Sequence, residues 1–391
     1  MGGAVKVRIG DGERRARVGV RQALAATARV GTAVAAADAV VALHATDAAT
    51  VFISACARMR EPSVGAVERA LYDDVQLVKL LAMRRTIFAV SAELAPYVDA
   101  AAARAIAAKE RKTLLKHLSE WNGLDEAWLA EAEKAAYAVL EEKGEATGVE
   151  ISAAAPILRT KITVFPGSRQ EAEQGVATRV LRMLAVDGHI RRGRPRGSWT
   201  SSQFRWTAGA EYPPLPVGEA QAEVARRWLR AYGPGTEADF KWWSGWTLTA
   251  VRAAFKAVGV EEVELESGAT GYVLAGDAEA TAPAEPWAAL LPGLDPTPMG
   301  WQDRGFFLAP EHRAALFDRA GNVGPTVWWN GEIVGGWAQR ADGEVVWRLF
   351  TDVGRDAVAA IEAEAARLAG WVGEARVTPR FRTPLERELA G

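Results

Sequence analysis

One order of elements, short helices followed by a β-hairpin, recurs three times in this 391-residue chain and limits the possible folds more than composition does. In its first instance, helical patterns are predicted at 20–30, 34–43, 48–59 and 64–72. Two β-rich runs follow, at 77–83 and 86–90, and Arg84 and Arg85 separate them. Helices followed by a small hairpin with a basic tip are typical of a winged helix, a variant of the helix-turn-helix.

The second and third instances follow the same order. Helices at about 125–143, 147–157 and 170–187 precede a hairpin at 189–207, whose arms flank Gly193, Pro195 and Gly197. After a proline-rich linker, a helix at 219–231 and helices capped by Thr236 and Thr247 precede a third hairpin. From about 283 onward, turns and short β-runs predict a small sheet or barrel, then a helix at 354–370 and a last strand at 374–379.

The predicted fold class is therefore α+β, with tandem winged-helix domains followed by a small C-terminal β-barrel. The expected domains are a first winged helix at 1–118, a second at 119–212, a third at 213–282 and the barrel-like domain at 283–391.

Charge is unevenly distributed along the chain. The net charge of −2 divides into +7 for residues 1–118, −1 for 119–215 and −8 for 216–391. A basic front and an acidic back suggest that the first units face a polyanion.

Several classes of protein are excluded by composition. The single cysteine, Cys56, rules out intramolecular disulfides, and the four scattered histidines have no metal-binding spacing, so neither a metal nor another cofactor is expected. The longest apolar run is far shorter than a membrane span, and the N-terminus has no apolar signal region. We therefore expect a cytoplasmic protein without a membrane partner.

Two basic hairpins are the candidate DNA contacts. Arg84 and Arg85 form the tip of the first, and the second carries Arg191, Arg192, Arg194 and Arg196 in a stretch without acidic residues. Such arginines suit phosphate or minor-groove contacts. Trp199 and Gln203 lie in the second hairpin. No lysine is marked by a motif as a Schiff-base nucleophile.

Four blocks carry a resemblance to a known family. They are VVALHATDAATVFISACARM (40–59), LVKLLAMRRTIFAVS (77–91), RRWLRAYGPGTEADFKWWSG (226–245) and LLPGLDPTPMGWQDRGFFLAPEHRAALF (290–317). On these blocks the chain resembles the AlkZ/YcaQ family of bacterial winged-helix DNA glycosylases, over roughly residues 20–375. The resemblance implies a C-shaped clamp on duplex DNA and excision of alkylated purines. On this view Trp199 and Gln203 either probe the lesion or fill space. The substrate is typically N7-alkylguanine and sometimes an interstrand crosslink, in base excision repair or antibiotic self-resistance.

The family's catalytic motif, Gln-x-Gln or Gln-x-Asp, corresponds to His44 and Thr46 in this chain. A neutral histidine can accept a proton from the attacking water, and a hydroxyl two residues away can hold that water. Asp47 would orient His44 or balance the charge on the sugar. The alternative is that His44 is a helix-end histidine and that Thr46 only caps the next helix.

We predict a monofunctional DNA glycosylase that acts as a monomer on double-stranded DNA. The alternative is a non-catalytic winged-helix DNA-binding protein, either a regulator or a damage-binding factor. Regulators usually dimerise on spaced half-sites, whereas three unlike units in one chain fit a monomeric clamp better. A nuclease is disfavoured because no compact motif supplies a carboxylate cluster for metal ions.

Overall fold

A computed structural model of the protein describes residues 7–391. The first six residues of the expected first unit therefore lie outside the described residues. The fold is a mixed arrangement of helices and small antiparallel sheets. None of the helices formed by residues 7–391 combines the length and the apolar character that crossing a bilayer requires.

The first unit places helices around a three-stranded sheet of order β2-β4-β3. Its elements are β1 (Arg8–Ile9), α1 (Asp11–Arg21), α2 (Ala33–Asp38), β2 (Leu43–His44), α3 (Ala48–Arg58), α4 (Val64–Glu68), β3 (Leu77–Ala82) and β4 (Thr86–Ser91). The predicted hairpin at 77–90 is confirmed. The helix predicted at 20–30 is wrong, because the helix begins at Asp11 and the chain turns at Ala23, where φ is 55°.

The second unit has the sheet order β5-β9-β8 and a separate pair, β6-β7. Two helices, α5 (Ala95–Val98) and α6 (Arg104–Asn122), connect it to the first unit. Its own elements are α7 (Glu126–Lys143), β5 (Glu145–Ala146), α8 (Gly148–Ala154), β6 (Lys161–Val164), β7 (Ala172–Gly175), α9 (Ala177–Val186), β8 (Ile190–Pro195) and β9 (Phe204–Ala208). The predicted hairpin at 189–207 is confirmed, and a register shift between Arg192 and Pro195 marks an irregularity in its first arm.

The third unit repeats the order and is completed by the start of the chain. Its elements are α10 (Val217–Tyr232), α11 (Glu237–Ser244), α12 (Leu248–Val258), β10 (Glu261–Leu265) and β11 (Thr270–Val273). Strand β1 adds to its sheet by pairing in parallel with β10, so the sheet order is β1-β10-β11. Thr236 and Thr247 accept hydrogen bonds from backbone amides three residues on, which confirms both predicted caps.

The C-terminal part forms an open antiparallel sheet of order β12-β13-β14-β15. Its elements are β12 (Ala288–Leu291), α13 (Arg313–Leu316), β13 (Thr326–Trp329), β14 (Glu332–Gln339), β15 (Val345–Leu349), α14 (Arg355–Val372) and α15 (Pro384–Ala390). The expected closed β-barrel is wrong for the described residues, because the edge strands β12 and β15 do not pair with each other. The strand predicted at 374–379 is also absent there, and the Gln339 side chain instead accepts a hydrogen bond from the Val377 amide.

Helix α3 lies at the centre of the molecule. Every residue from Ala49 to Arg58 is buried. Phe52 belongs to a core that also contains residues of the third unit, whereas Ile53 packs against the C-terminal sheet and α14. Since packing on several sides fixes this helix, it also fixes the chain that enters its N-terminus.

Candidate active site

A cleft opens where the first sheet, α9 and the β8–β9 hairpin meet. It has two lobes with volumes of about 460 and 550 Å³. Four side chains, Thr46, Lys79, Arg192 and Phe204, line both lobes, so the lobes are adjoining parts of one cleft. His44 lines the first lobe and Asp47 the second. The structure therefore brings the three predicted catalytic residues to one place.

His44 lies on β2, opposite Phe88 of β4, and their rings meet edge to face with centroids 5.4 Å apart. It is 7% exposed, and its Nδ1 atom is buried without a hydrogen-bond partner among residues 7–391. Burial, with a smaller effect from the positive charge of Arg84, lowers the pKa of His44 to about 3. The imidazole is therefore neutral at physiological pH and is a weak proton acceptor.

Thr46 and Asp47 form the entry to α3. Asp47 is the N-cap: its Oδ1 atom accepts a hydrogen bond from the Ala49 amide at 3.2 Å, and its Oδ2 atom accepts one from the Arg380 amide at 3.0 Å. No hydrogen bond joins Asp47 to His44 within the described part of the chain, so Asp47 does not orient the imidazole directly. The capping role belongs to Asp47 and not to Thr46.

The lining of the cleft is strongly basic. Six cationic side chains contribute to the two lobes, and they are Lys79, Arg85, Arg182, Arg191, Arg192 and Arg380. Asp47 is the one acidic residue among the lining residues of these lobes. A concave surface with this excess of positive charge attracts a polyanion such as the DNA backbone.

The arginines of the second hairpin are divided between different surfaces. Arg191 and Arg192 line the cleft, and the Arg192 guanidinium lies 4.5 Å from the centroid of the Phe204 ring. Arg194 instead forms ion pairs with Glu68 at 3.1 Å and Asp73 at 2.8 Å, which tie the hairpin to the first unit.

Arg196 and Gln203 line a broader groove of about 1000 Å³ between α8, α9 and β9, which adjoins the cleft at Phe204 but does not include His44, Thr46 or Asp47. The structure therefore assigns only part of this hairpin to the cleft.

Arg84 and Arg85 also differ, although they are neighbours at the tip of the first hairpin. Arg85 is exposed, forms an ion pair with Glu110 and lines the cleft. Arg84 lies with its guanidinium 4.2 Å from the centroid of the Trp242 ring, and burial lowers its pKa to about 10. Its Nε atom is buried without a partner among the described residues. Arg84 therefore joins the hairpin to the third unit.

Trp199 packs away from the cleft. Its ring lies 5.1 Å from that of Phe52 on α3 and 6.0 Å from that of Trp371 on α14, measured between centroids. Between the two proposed roles, the geometry favours space-filling over probing of a lesion. Its position anchors the loop between β8 and β9 to the protein core.

The cleft residues that sequence reasoning missed include Lys79, Arg182, Arg380 and Phe381. Lys79 gave a usable signal, since it is a single cation inside the otherwise apolar strand LVKLLA. Arg380 gave none, because it reaches Asp47 from 333 residues away in the chain. No group of three or more His, Cys, Asp or Glu side chains among residues 7–391 is arranged to hold a metal ion.

Comparison with known proteins identifies the family of this chain. Residues 37–371 match the family described as "DNA glycosylase AlkZ-like". The chain belongs to the AlkZ-like family of DNA glycosylases. The family prediction made from the four sequence blocks is therefore confirmed, and the matched region contains His44, Thr46 and both basic hairpins.

A curated relative and a solved structure add detail to the AlkZ-like assignment. The chain is 34% identical over 215 residues to the "Interstrand DNA cross-link repair glycosylase" of Streptomyces sahachiroi. That match covers 52% of this chain and 57% of the relative, so the chain spans little more than half the length of the curated relative that it matches. It is also similar to the solved structure of Streptomyces sahachiroi DNA glycosylase AlkZ, with a TM-score of 0.71 and 25% identity, covering 95% of this chain and 99% of that one.

Proposed function

We propose that this protein is a DNA glycosylase that hydrolyses the N-glycosidic bond of alkylated purines, N7-alkylguanine above all, in duplex DNA. The observation that carries the proposal is the position of His44 and Thr46. Both of these motif positions line a cleft with six cationic side chains and one carboxylate. A cleft of this kind is suited to binding a DNA backbone next to side chains that position the attacking water.

The chemistry needs little acid catalysis. N7-alkylation gives the guanine a positive charge, so the base is already a good leaving group. What remains is to place a water molecule against the anomeric carbon and to stabilise the developing positive charge on the sugar. The glycosylase step is thus hydrolysis by water, as expected for a monofunctional enzyme.

His44, Thr46 and Asp47 divide these tasks. Because the pKa of His44 is about 3, its neutral imidazole acts as a hydrogen-bond partner for the water rather than as a strong base. The hydroxyl of Thr46 holds the same water, and the carboxylate of Asp47 lies in the adjoining lobe to balance the charge on the sugar.

We further propose that the three units with the order helices, hairpin and three-stranded sheet are winged helices, divided as 1–118, 119–212 and 213–282, with a C-terminal domain at 283–391. The shared sheet order, in which the strand before the last helices pairs with the final strand of the hairpin, supports this proposal for the first two units. The whole chain would form a monomeric, C-shaped clamp that acts on DNA in the cytoplasm.

One curated relative supports a proposal for the substrate range. The curated relative is described as a glycosylase of interstrand DNA crosslink repair. We therefore propose that this chain accepts bulky N7 adducts and crosslinks as well as small methyl groups, in alkylation repair or self-resistance. The cleft, open across two lobes of about 460 and 550 Å³, leaves room for more than a flipped base alone.

The direct experiment is to measure release of free base from duplexes that carry N7-methylguanine, a bulkier N7 adduct or an N7–N7 crosslink. The wild-type protein should release base from at least one of them. His44→Ala and Thr46→Ala should each slow release by roughly 100-fold or more. His312→Ala is the control, since that imidazole stacks on Phe350 outside the cleft.

Two outcomes would contradict the proposal. If both variants released base as fast as the wild type, this pair would have no part in the mechanism. If the wild type released no base from any N7 adduct yet bound duplex DNA, the non-catalytic DNA-binding alternative would be favoured.

A further inference from the structure

The second lobe of the cleft, which Asp47 lines, is rich in groups that bind anions. Two of its cations, Arg192 and Arg380, form no ion pair within residues 7–391. Five hydroxyl-bearing side chains line the same lobe, and they are Thr46, Thr200, Ser201, Ser202 and Thr378. Arginines together with hydroxyl groups are typical ligands of a DNA phosphate. The lobe therefore has the side chains of a phosphate-binding site.

Arg380 connects this lobe to the residues proposed to act on the sugar. Its backbone amide donates a hydrogen bond to Oδ2 of Asp47 at 3.0 Å, and its Nη1 atom donates one to the carbonyl oxygen of Thr46 at 3.5 Å. The side chain is exposed, and a guanidinium has five N–H donors, so further donors remain for a ligand. A group bound by these donors lies beside Thr46 and Asp47.

Arg192 reaches the same lobe from another part of the fold. It belongs to β8 of the second unit, whereas Arg380 belongs to the segment between α14 and α15. Burial lowers the pKa of the Arg192 guanidinium, and the positive charge of Arg380 lowers it further, so the two cations repel each other. An anion bound by both arginines would offset this repulsion and connect the second unit to the C-terminal part.

We propose that Arg192 and Arg380 together bind a phosphate group of the damaged nucleotide and so position its sugar in the second lobe. The inference deepens the proposed glycosylase function and rests on it. The first lobe is left for the base, since it contains His44 and the aromatic side chains Phe204, Trp206 and Phe381. Arg380 is thus a positioning residue, and it lies outside the matched region 37–371, so the family assignment does not identify it.

The side chain of Arg380 can be changed without removing the bond to Asp47. That bond uses the backbone amide, which every residue except proline supplies. Arg380→Gln therefore removes the positive charge and leaves the contact that ties this segment to the start of α3. A residue that only anchored the segment would not make binding depend on one phosphate of the DNA.

The test measures binding of the full-length protein to a duplex with one tetrahydrofuran abasic analogue, which has no base to release. Single phosphates next to the analogue are replaced in turn by uncharged methylphosphonates. For the wild type, neutralising the phosphate that Arg380 binds should weaken binding by about 10-fold, as for loss of a hydrogen bond to a charged group. Arg380→Gln should bind the unmodified duplex about 10-fold less tightly, and that methylphosphonate should weaken it by less than about 2-fold more.

Three further variants sharpen the comparison. Arg192→Gln should be insensitive to the same methylphosphonate, because both arginines share one ligand. Arg380→Lys keeps the charge and should recover part of the sensitivity that Arg380→Gln loses. Arg387→Gln is the matched control, since Arg387 is an exposed arginine of α15 outside both lobes, and this variant should behave as the wild type on every duplex.

Two results would overturn the phosphate site. One is that the losses from Arg380→Gln and from each methylphosphonate simply add, and the other is that the two arginines respond to different phosphates. Each result is a ratio between two duplexes bound by the same variant, so an unfolded fraction cancels. Release of N7-methylguanine is measured in parallel. Release without the predicted insensitivity refutes the phosphate site alone, whereas the insensitivity without release refutes the glycosylase proposal.

Discussion

The two ends of helix α3 differ in how far the positive charge near them is paired with carboxylates. At its C-terminal end, Arg58 and Asp295 are both fully buried, and the two guanidinium nitrogens lie 2.9 and 2.8 Å from the carboxylate oxygens. At its N-terminal end, the cleft gathers six cationic side chains around the single carboxylate of Asp47. One helix therefore connects a fully paired charge to a cluster in which positive charge is in excess.

The first end has a cation that is neutralised inside the protein, and the second has positive charge that a ligand can neutralise. Ser54 donates a third hydrogen bond to Asp295, and Arg58 donates to Thr297, so this network leaves no charge for a ligand to neutralise. In the cleft, Arg85 and Arg182 share the one carboxylate of Glu110, and the other four cations form no ion pair within residues 7–391. Their arrangement costs free energy in the unliganded protein, and an anionic ligand such as the DNA backbone would offset that cost.

The largest effect is expected from Asp295→Ala. The change leaves the Arg58 guanidinium buried and unpaired, which typically destabilises a protein by about 3–5 kcal/mol. Urea unfolding followed by tryptophan fluorescence measures this loss. The control is Glu388→Ala, which removes an exposed partner of Arg348 and should cost at most about 1 kcal/mol. Equal losses in the two variants would contradict the structural role of the network.

The next effect concerns pH and His44. Its folded-state pKa of about 3 is below its ordinary value of 6.5, so the unfolded chain binds a proton more readily. Stability is therefore fully present above pH 6.5 and is lost as pH falls from 6.5 toward 3. Unfolding curves at a series of pH values should show this loss, and His44→Gln should reduce it.

The pH dependence of the excision rate is a second test of the protonation state of His44. A neutral His44 predicts no change in rate that follows a pKa near 6.5 between pH 5 and 8. An inflection there that disappeared in His44→Gln would show that the histidine titrates in the free enzyme at its ordinary value. His44 would then resemble an exposed group and not the buried, uncharged one that the structure shows.

A moderate effect is expected on DNA binding from Arg192→Gln. Loss of one phosphate contact should weaken binding to all duplex sequences alike and reduce the slope of log K against log salt by about 1. Fluorescence anisotropy with a labelled duplex at several salt concentrations measures both quantities. Arg319→Gln, an exposed arginine outside the cleft, is the matched control. Identical slopes for both variants would mean that Arg192 does not contact phosphate.

Local patterns in the sequence predicted much of the fold. The hairpin at 77–90 followed from two β-rich runs, and the caps of α11 and α12 followed from Thr236 and Thr247, because each depends on residues close together in the chain. The prediction that the C-terminal sheet closes into a barrel was wrong. Alternating residues and turns identify strands, whereas closure depends on whether β12 and β15 meet, which is a property of the whole packing.

The candidate site also combines residues that the sequence identified with residues whose role depends on distant neighbours. His44 and Thr46 were proposed because they occupy the positions of the family's catalytic motif, and Asp47 because it follows them directly in the chain. Trp199 was indistinguishable from a base-stacking aromatic, since the Trp371 ring that covers it lies on a helix about 170 residues later. Long-range neighbours decide whether a polar or aromatic residue serves the core or the cleft, and a single sequence does not contain them.

The smallest effect is expected from Arg84→Ala. This change tests whether Arg84 is a structural cation while its neighbour Arg85 belongs to the cations of the cleft. The contact with Trp242 contributes about 0.5–2 kcal/mol to stability, so urea unfolding should detect its loss. The salt dependence of DNA binding should stay as in the wild type, because this guanidinium is buried against the third unit. Arg85→Ala should show the reverse pattern, with stability nearly unchanged, since its exposed pair with Glu110 contributes little, and a shallower salt slope. If Arg84→Ala instead flattened the salt slope as much as Arg85→Ala does, Arg84 would belong with the cations of the cleft, and its packing on Trp242 would not persist on DNA.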